Sequence, residues 1–429
     1  MRVASGRVDL GRVEPMEPRR LLSTVSFPGD MAVDGGGNTF VSAITQQVQA
    51  GASGVIDEWG NSVLHVIKFS SGGKRLWEYQ VDLGTTSGAG GALAVDATGN
   101  IYVTGQFASQ VRFDPKSAST SLTSSGGNDV FVLKLSPAGL VGWVRQFGGK
   151  QSDRASGIAI GSSGNVFVSG SFSGVAQLGR GAGSVRLTSA GGRDAFVLGL
   201  SADGKTISAQ RFGGRGDDSA NSLAFTPAGG LLVGGDFEGT MAFGGQVPAL
   251  RSSGHENGWV AQIGSGGKAA WAKRIGGTGY ESVQKLAVGT DGDIWVAGAF
   301  EDDKGFGSEE KVSAAGTNGS GGMFVGRYDS SMNLRWQGTA GDSSQSAGAM
   351  AVDGGGNTYL TMEYGGTAAV WSRGPQMPTT GLAANVVVAK VDPAGNLLWV
   401  HAVGGKSYDD AWALGVDSSN DVRVLGGEM

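Results

Sequence analysis

Apolar and polar positions follow one pattern along this chain, and the pattern recurs seven times. Each copy begins with a short apolar run whose middle residue is small, passes through a polar turn, and ends in an alternating apolar run. The copies are MAVDGGGNTFVSA (31–43), LAVDATGNIYVTG (93–105), IAIGSSGNVFVSG (158–170), LAFTPAGGLLVGG (223–235), LAVGTDGDIWVAG (286–298), MAVDGGGNTYLTM (350–362) and LGVDSSNDVRVLG (414–426). Their turns are 62, 65, 65, 63, 64 and 64 residues apart, which predicts a repeat protein with a unit of about 64 residues.

The third copy illustrates the four strands predicted for each unit. Strand a is 158–160, strand b 166–172, strand c 194–200 and strand d 206–212, with a loop of about twenty residues between b and c. The small residue of strand a suits strands that converge on an axis and are covered on both faces. It is Ala32, Ala94, Ala159, Ala224, Ala287, Ala351 and Gly415. We therefore predict an all-β fold, a seven-bladed β-propeller of four-stranded blades.

The composition narrows the classes of partner. Glycine contributes 79 of 429 residues and proline only 10, as expected for many tight turns in a packed fold. The net charge of −5 comes without a cluster of Lys and Arg, so we expect neither nucleic-acid binding nor insertion into a membrane. There is no cysteine, which excludes disulfides and thiolate chemistry.

The repeated line Gly-[Ile/Leu]-Ala-Val-Asp-x-x-Gly-Asn-x-[Tyr/Phe]-Val-x-Gly-x-Phe, preceded by Gly-Gly-x-x-x-Asp, resembles the bacterial SBBP (seven-bladed beta-propeller) repeats. The match covers about 400 residues and is strongest at 93–107 and 158–172. The resemblance implies a propeller and an extracellular or cell-surface location in bacteria. It implies no catalytic motif, because that family shares none.

The two chain ends allow two interpretations. The last copy ends at Met429 with strands a and b, so residues 7–13 and 20–27 are candidates for its strands c and d, splitting the seventh blade between the termini. Alternatively, 14–23 (EPMEPRRLLS) resembles the LEPR-XLL motif of large bacterial surface proteins and lies outside the ring. We therefore divide the chain into an N-terminal segment, 1–23, and a propeller, 24–429.

The loops that join strand d to the next strand a carry the residues we predict to form a binding rim. In a propeller these loops gather around the mouth of the central channel. Carboxylates and aromatic rings there suit a cation or a sugar, although a solvated, purely structural rim explains them as well. The candidate rim residues are Asp153, Asp217, Asp218, Tyr280, Glu281, Tyr408, Asp409, Asp410 and Trp412.

The b-to-c loops differ most between units, and on a rigid repeated scaffold such loops often carry recognition. Trp59 and Trp371 are our candidate aromatic anchors there. We expect a non-enzymatic, surface-associated binding or scaffold module that recognises a protein or glycan, with no catalytic residue, metal or cofactor. The alternative is a polysaccharide hydrolase or lyase that uses rim carboxylates. The sequence predicts no oligomeric state.

Overall fold

The computed structural model describes residues 22–27, 29–50, 56–85, 91–178, 184–264, 266–301, 321–340, 347–364, 385–403, 409–417 and 420–428. Antiparallel strands dominate these residues, with one short 3-10 helix at Ala118–Thr120. None of the described helical structure has the length or apolar character needed to cross a membrane. The all-β prediction is confirmed for this part of the chain.

The strands group into seven successive units that match the seven sequence copies. Units 1 to 3 contain β1 (Leu22–Phe27), β2 (Met31–Val33), β3 (Thr39–Ala50), β4 (Ile56–Phe69) and β5 (Arg75–Asp82); β6 (Ala92–Val95), β7 (Ile101–Phe107), β8 (Gln110–Arg112), β9 (Ser121–Thr123), β10 (Asp129–Leu135) and β11 (Val141–Gly149); and β12 (Arg154–Ile160), β13 (Val166–Leu178), β14 (Val185–Leu200) and β15 (Thr206–Phe212).

Units 4 to 7 continue the series. They contain β16 (Asp218–Phe225), β17 (Leu231–Phe237), β18 (Thr240–Met241), β19 (Leu250–Arg251), β20 (Asn257–Ile263) and β21 (Ala269–Ile275); β22 (Tyr280–Val288), β23 (Ile294–Glu301), β24 (Gly322–Tyr328) and β25 (Leu334–Ala340); β26 (Ala347–Val352), β27 (Thr358–Tyr364), β28 (Asn385–Val391) and β29 (Leu397–Val403); and β30 (Asp409–Val416) and β31 (Val422–Glu428). Units 1 to 6 each hold strands a, b, c and d in antiparallel order, whereas the described part of unit 7 holds a and b.

Turn aspartates shape the tight a-to-b and c-to-d connections. In unit 2, Oδ1 of Asp96 accepts hydrogen bonds from the backbone N–H groups of Thr98 and Asn100, and Oδ2 accepts one from the Asn100 amide. Gly99 follows at φ 81°, a conformation that glycine tolerates best. Asp34, Asp329, Asp353 and Asp392 make the corresponding bonds. The sequence motif Asp-x-x-Gly-Asn is therefore a self-capped turn.

Neighbouring units pack face to face through buried apolar side chains. Between units 3 and 4, for example, the rings of Phe212 and Trp259 lie 6.5 Å apart, centroid to centroid. The a strands of successive units contact one another from β2 through β6, β12, β16, β22 and β26 to β30. β30 also contacts β2, and Met31 of unit 1 packs with Ala413 and Leu425 of unit 7.

A tryptophan in strand d links several units to the next one. The indole N–H of Trp77 donates to the carbonyl of Pro137 at 3.0 Å, and that of Trp143 donates to Ala202 at 3.1 Å, each in the c-to-d turn of the following unit. Trp336 donates to the corresponding carbonyl of Pro393 at 2.9 Å. The sequence analysis did not anticipate this contact.

The b-to-c connection of unit 3 is more ordered than predicted. In unit 3, Val175–Leu178 pair with Val185–Thr188, so β13 and β14 extend well into the expected twenty-residue loop. The end of β13 also pairs with β11 of unit 2, where 176–178 lie opposite 147–149. This extended hairpin joins the sheets of units 2 and 3.

The N-terminal strand corrects one prediction. Residues 20–27 were expected to form strand d of the last unit, but β1 pairs with β3 of unit 1, from Leu22 opposite Gln49 to Phe27 opposite Ile44. β2 continues along the same edge of β3, from Met31 opposite Val41. β1 and β2 are thus two parts of the first unit's inner edge, which explains why so few residues separate them. Residues 7–13 lie outside the described residues.

Candidate functional site

The predicted rim lies at one end of the units. Because strands a to d run antiparallel, the a-to-b and c-to-d turns share one end of each unit, and the b-to-c and d-to-a connections share the other, which we call the loop face. The side chains of five predicted rim residues are described there. Tyr408 and Trp371 lie outside the described residues, and for Asp409, Asp410 and Trp412 in β30 and Trp59 in β4 only the strand positions are described.

Asp153 and Asp218 were predicted to face the channel mouth, but each is 1% exposed. Oδ2 of Asp153 accepts the backbone N–H of Gly149 at 2.8 Å, and Oδ2 of Asp218 accepts that of Gly214 at 2.7 Å. These bonds explain why the motif Gly-Gly-x-x-x-Asp recurs. Its aspartate accepts the backbone N–H of the second glycine and so holds the d-to-a loop together. Neither carboxyl group is placed to contact a ligand at the surface.

Glu281 occupies the corresponding place in unit 5 and is 4% exposed. Its Oε2 accepts a 2.6 Å hydrogen bond from the side-chain amide of Asn257. Gly276 is required beside it, because a Cβ there would lie 2.4 Å from Oε2. Glu281 is thus buried against the neighbouring unit 4 and is not exposed at the rim, as is also found for Asp153 and Asp218.

Burial changes the protonation of the two aspartates. It raises the pKa of Asp153 to about 7, and the neighbouring charge of Asp129 adds to the effect. It raises the pKa of Asp218 to about 8, assisted by the charges of Asp194, Asp217 and Asp236. Hydrogen bonds from Gly149 and Gly214 act in the opposite direction but do not outweigh burial.

Asp217 remains at the surface and forms an ion pair. The backbone N–H of Arg193 donates to its Oδ1 at 2.8 Å, and the guanidinium donates to its Oδ2 at 3.0 and 3.1 Å. The backbone hydrogen bond is the main reason that the pKa of Asp217 is lowered. The pair joins strand c of unit 3 to the loop before unit 4 and keeps its charge accessible to solvent.

Tyr280 is the single aromatic ring among the five predicted rim residues whose side chains are described. It is 46% exposed and stacks on His255, with ring centroids 5.2 Å apart and an angle of 14° between the planes. His255 is itself exposed. Together the two rings form a flat platform on the loop face between units 4 and 5.

Next to this platform lies a carboxyl pair that the sequence analysis missed. Asp236, at the end of β17, accepts hydrogen bonds from Ser219 at 2.7 Å and from Ser282 at 2.9 Å. Burial raises the pKa of Glu256 to about 9, and its hydrogen bond with Asp236 adds to the rise. Only departure from the repeat could have signalled the pair: the positions equivalent to Asp236 in units 2 and 3 are Gln106 and Ser171.

The platform and the carboxyl pair are contiguous. Glu256 follows His255 in sequence, and its carbonyl accepts the backbone N–H of Glu281 at 3.0 Å, directly after Tyr280. We call Asp236, His255, Glu256 and Tyr280 the unit 4–5 patch. It combines an aromatic surface with two hydrogen-bonded carboxyl groups, of which Glu256 has a raised pKa. Within the described ranges no three His, Asp or Glu side chains are placed to hold a metal ion.

A second polar cluster lies inside unit 1. Thr45 and His65 Nε2 are 2.8 Å apart, and His65 Nδ1 and Glu78 Oε1 are 2.7 Å apart. The order hydroxyl, imidazole, carboxylate is that of a catalytic triad, but Thr45 and His65 are each 8% exposed. Burial, together with the charge of Arg75, lowers the pKa of His65, and the ring cross-links three strands.

Comparison with known proteins gives distant likenesses. No family model matches the chain. The regulatory protein FlaEY of Caulobacter vibrioides is 28% identical over 376 residues, which cover 85% of this chain and 35% of FlaEY. The chain thus spans about a third of the length of that relative.

Solved structures with a similar backbone have low sequence identity. An ulvan lyase of polysaccharide lyase family 25 has a TM-score of 0.48 and 9% identity over 92% of this chain and 90% of that one. A protein of unknown function from Bacteroides caccae has a TM-score of 0.37 and 12% identity over 84% of this chain and 94% of that one.

Proposed function

We propose that the chain forms a seven-bladed β-propeller that binds a glycan on its loop face without transforming it. The fold part of the proposal is supported by the seven strand units and by the contacts that run from β2 through the inner strands to β30 and back to β2. Packing of Met31 with Ala413 and Leu425 supports a ring closed between the first and last units.

One observation carries the binding part: the exposed Tyr280–His255 platform adjoins the Asp236–Glu256 carboxyl pair. The apolar C–H face of a pyranose packs well on a flat ring, whose electron-rich face attracts the weakly positive hydrogens. Carboxyl groups and the Ser219 and Ser282 hydroxyls supply donors and acceptors for sugar hydroxyls around it. A glycan uses both halves of the patch, whereas a purely apolar partner leaves the carboxyl pair unmatched.

The location of such a protein follows from the resemblance to SBBP repeats, which are frequent on exported bacterial proteins. We therefore place it at the cell surface or outside the cell. The shared region with FlaEY is one part of a longer protein, so a similar module is compatible with several whole-protein roles.

A glycan array probed with the full chain tests the proposal. We expect Tyr280→Ala to reduce binding of the recognised glycans at least tenfold, because the stacking surface is lost, while Tyr280→Phe retains most of it. Leu140→Ala is the matched control, since Leu140 is 69% exposed but lies in a c-to-d turn at the opposite end.

Two results would contradict the proposal. Either no glycan binds above background, or Tyr280→Ala binds as the wild type does. Release of reducing ends or unsaturated products from the same glycans, abolished by Glu256→Gln, would instead favour the hydrolase or lyase alternative, with Glu256 as the proton donor.

A further inference from the structure

Two equivalent pairs of buried aspartates stand between neighbouring units on the loop face. In each pair, one aspartate lies in strand c, Asp129 at the start of β10 and Asp194 within β14, and the other closes the following d-to-a loop: Asp129 with Asp153, and Asp194 with Asp218. All four side chains are at most 1% exposed. Two ionised carboxylates so close in a dry environment repel each other strongly, so a compensating group is needed.

The Asp194–Asp218 pair shows how closely the groups meet. A Cβ placed on Gly213 would lie 2.4 Å from Oδ1 of Asp194 and 2.6 Å from Oδ2 of Asp218, so both carboxyl groups converge on this glycine. Oδ2 of Asp194 pairs with Arg211 at 3.0 Å. Oδ1 of Asp194 and Oδ1 of Asp218 are buried and have no hydrogen-bond partner among the described residues.

The next repeat contains the same arrangement with an amide in place of one acid. Oδ1 of Asn257 accepts the backbone N–H of Ser253 at 2.9 Å, just as Oδ2 of Asp194 accepts that of Ala190 at 2.5 Å. The Asn257 amide nitrogen therefore occupies the place of Oδ1 of Asp194. It donates a hydrogen bond to Glu281, the equivalent of Asp218.

We infer that each aspartate pair binds one proton, held between its two carboxyl groups where the amide N–H of Asn257 links to Glu281. A carboxylic acid and a primary amide have the same shape, and each offers one acceptor and at least one donor. One proton per pair removes the repulsion, and in the second pair it also gives a hydrogen bond to the Oδ1 atoms of Asp194 and Asp218. The two pairs thus make the contact between units dependent on pH.

The surrounding charges fix the direction of this dependence. Asp218 faces Asp194, Asp217 and Asp236, while Arg211 pairs with Asp194 and Arg193 pairs with Asp217. Asp153 faces Asp129, and the backbone N–H groups of Gly149 and Ser173 partly offset burial. The pKa of the proton-binding group is raised in the folded state, so the folded protein holds protons that the unfolded chain releases near pH 4. Its contribution to stability therefore declines as the pH rises from about 4 to about 8.

Amide substitutions test the inference directly. We expect the fall in unfolding temperature between about pH 6 and about pH 9 to be smaller in Asp194→Asn than in the wild type, and smallest in Asp129→Asn/Asp194→Asn. The reverse change, Asn257→Asp, should create a third pair and steepen the fall. Asp203→Asn is the control, because Asp203 is exposed in the c-to-d turn at the other end of unit 3 and has a lowered pKa, so the slope between about pH 6 and about pH 9 should stay unchanged.

Infrared difference spectra of the wild type test the proton without any substitution. We expect the carbonyl band of a protonated carboxylic acid at neutral pH, lost on raising the pH and diminished in the amide variants. Absence of this band at neutral pH, or an unchanged pH slope in the folded double variant, would overturn the inference. So would a rise in unfolding temperature with Ca²⁺ that Asp194→Asn abolishes, because the pair would then be a cation site.

Discussion

At the scale of single residues, the aspartates of this protein have pKa values that are shifted in opposite directions. Burial alone would raise the pKa of the turn aspartate Asp353, but donors from Asn357, Tyr359 and Gly355 together lower it. The loop aspartate Asp218 is buried, and because it has one backbone donor and several acidic neighbours, its pKa rises. The sequence places both in short glycine-rich segments, so residue type and spacing predict turns for both and do not distinguish their protonation.

Asp353→Ala should lower stability by about 2–3 kcal/mol near pH 7, because it removes several hydrogen bonds and leaves the buried Tyr359 hydroxyl without its acceptor. The folded pKa of Asp353 is depressed, so its contribution is present above about pH 4 and is lost as the pH falls further. Urea titrations at about pH 7 and about pH 3 measure both effects, and the difference from wild type should shrink in acid.

The control for this substitution is Asp329→Ala. Asp329 makes the same turn bonds to Asn333 but lies in an exposed turn and has no tyrosine partner. We expect a smaller loss there. Equal losses for the two variants would show that the buried contact with Tyr359 contributes nothing.

At the scale of strands and turns, the predicted strand bounds were accurate where the local sequence determines them. They were incomplete where pairing with a neighbouring unit lengthens a strand. Strand d of unit 3 was predicted at 206–212 and is observed at Thr206–Phe212. Strand b was predicted to end at Phe172 but continues to Leu178, because its end pairs with β11 of the preceding unit. The strand-d tryptophans recur in the sequence, yet their partner is a backbone carbonyl about 60 residues away, which leaves no side-chain signature.

Trp143→Phe should lower stability by about 1–2 kcal/mol, since the hydrogen bond to Ala202 and part of the indole's packing area are lost while an aromatic ring remains. Gly204→Ala should cost more, because Gly204 has φ 78° and its new Cβ would lie 2.8 Å from the Trp143 ring. Thermal unfolding of both variants tests the order. Gly73→Ala is the control: φ is 80°, but no heavy atom lies within 4 Å of the added Cβ. Equal losses for the two glycine variants would contradict a role for the indole contact.

At the scale of the whole molecule, the number of units was predictable but the arrangement of the ends was not. Seven copies of one sequence motif predicted seven units, and the described residues contain seven a strands that contact one another in sequence. The candidate site was less predictable. Burial removed Asp153, Asp218 and Glu281 from the surface, while Asp236 and Glu256, which match no repeated pattern, came together through packing. Convergence in space depends on which loops fold inward, and a repeat pattern does not specify it.

A disulfide between the first and last units tests closure of the ring. A Cβ at Gly415 would lie 3.9 Å from the Cβ of Val33, a separation that suits a disulfide, and the chain contains no other cysteine. We expect Val33→Cys/Gly415→Cys to form the bond on mild oxidation and to raise the unfolding temperature relative to the reduced form. The single-cysteine variants are controls, and no intramolecular bond in the double variant would contradict closure.

The forward reach of the strand-d tryptophans sets an order for folding during synthesis. Trp77 finds its partner 60 residues later, Trp143 finds its own 59 residues later and Trp336 finds its own 57 residues later. Each indole therefore stays without this hydrogen bond until the ribosome has released nearly one more unit. After units 1, 2 and 5, a nascent chain should therefore carry a strand-d tryptophan without this hydrogen bond until the c-to-d turn of the next unit has emerged.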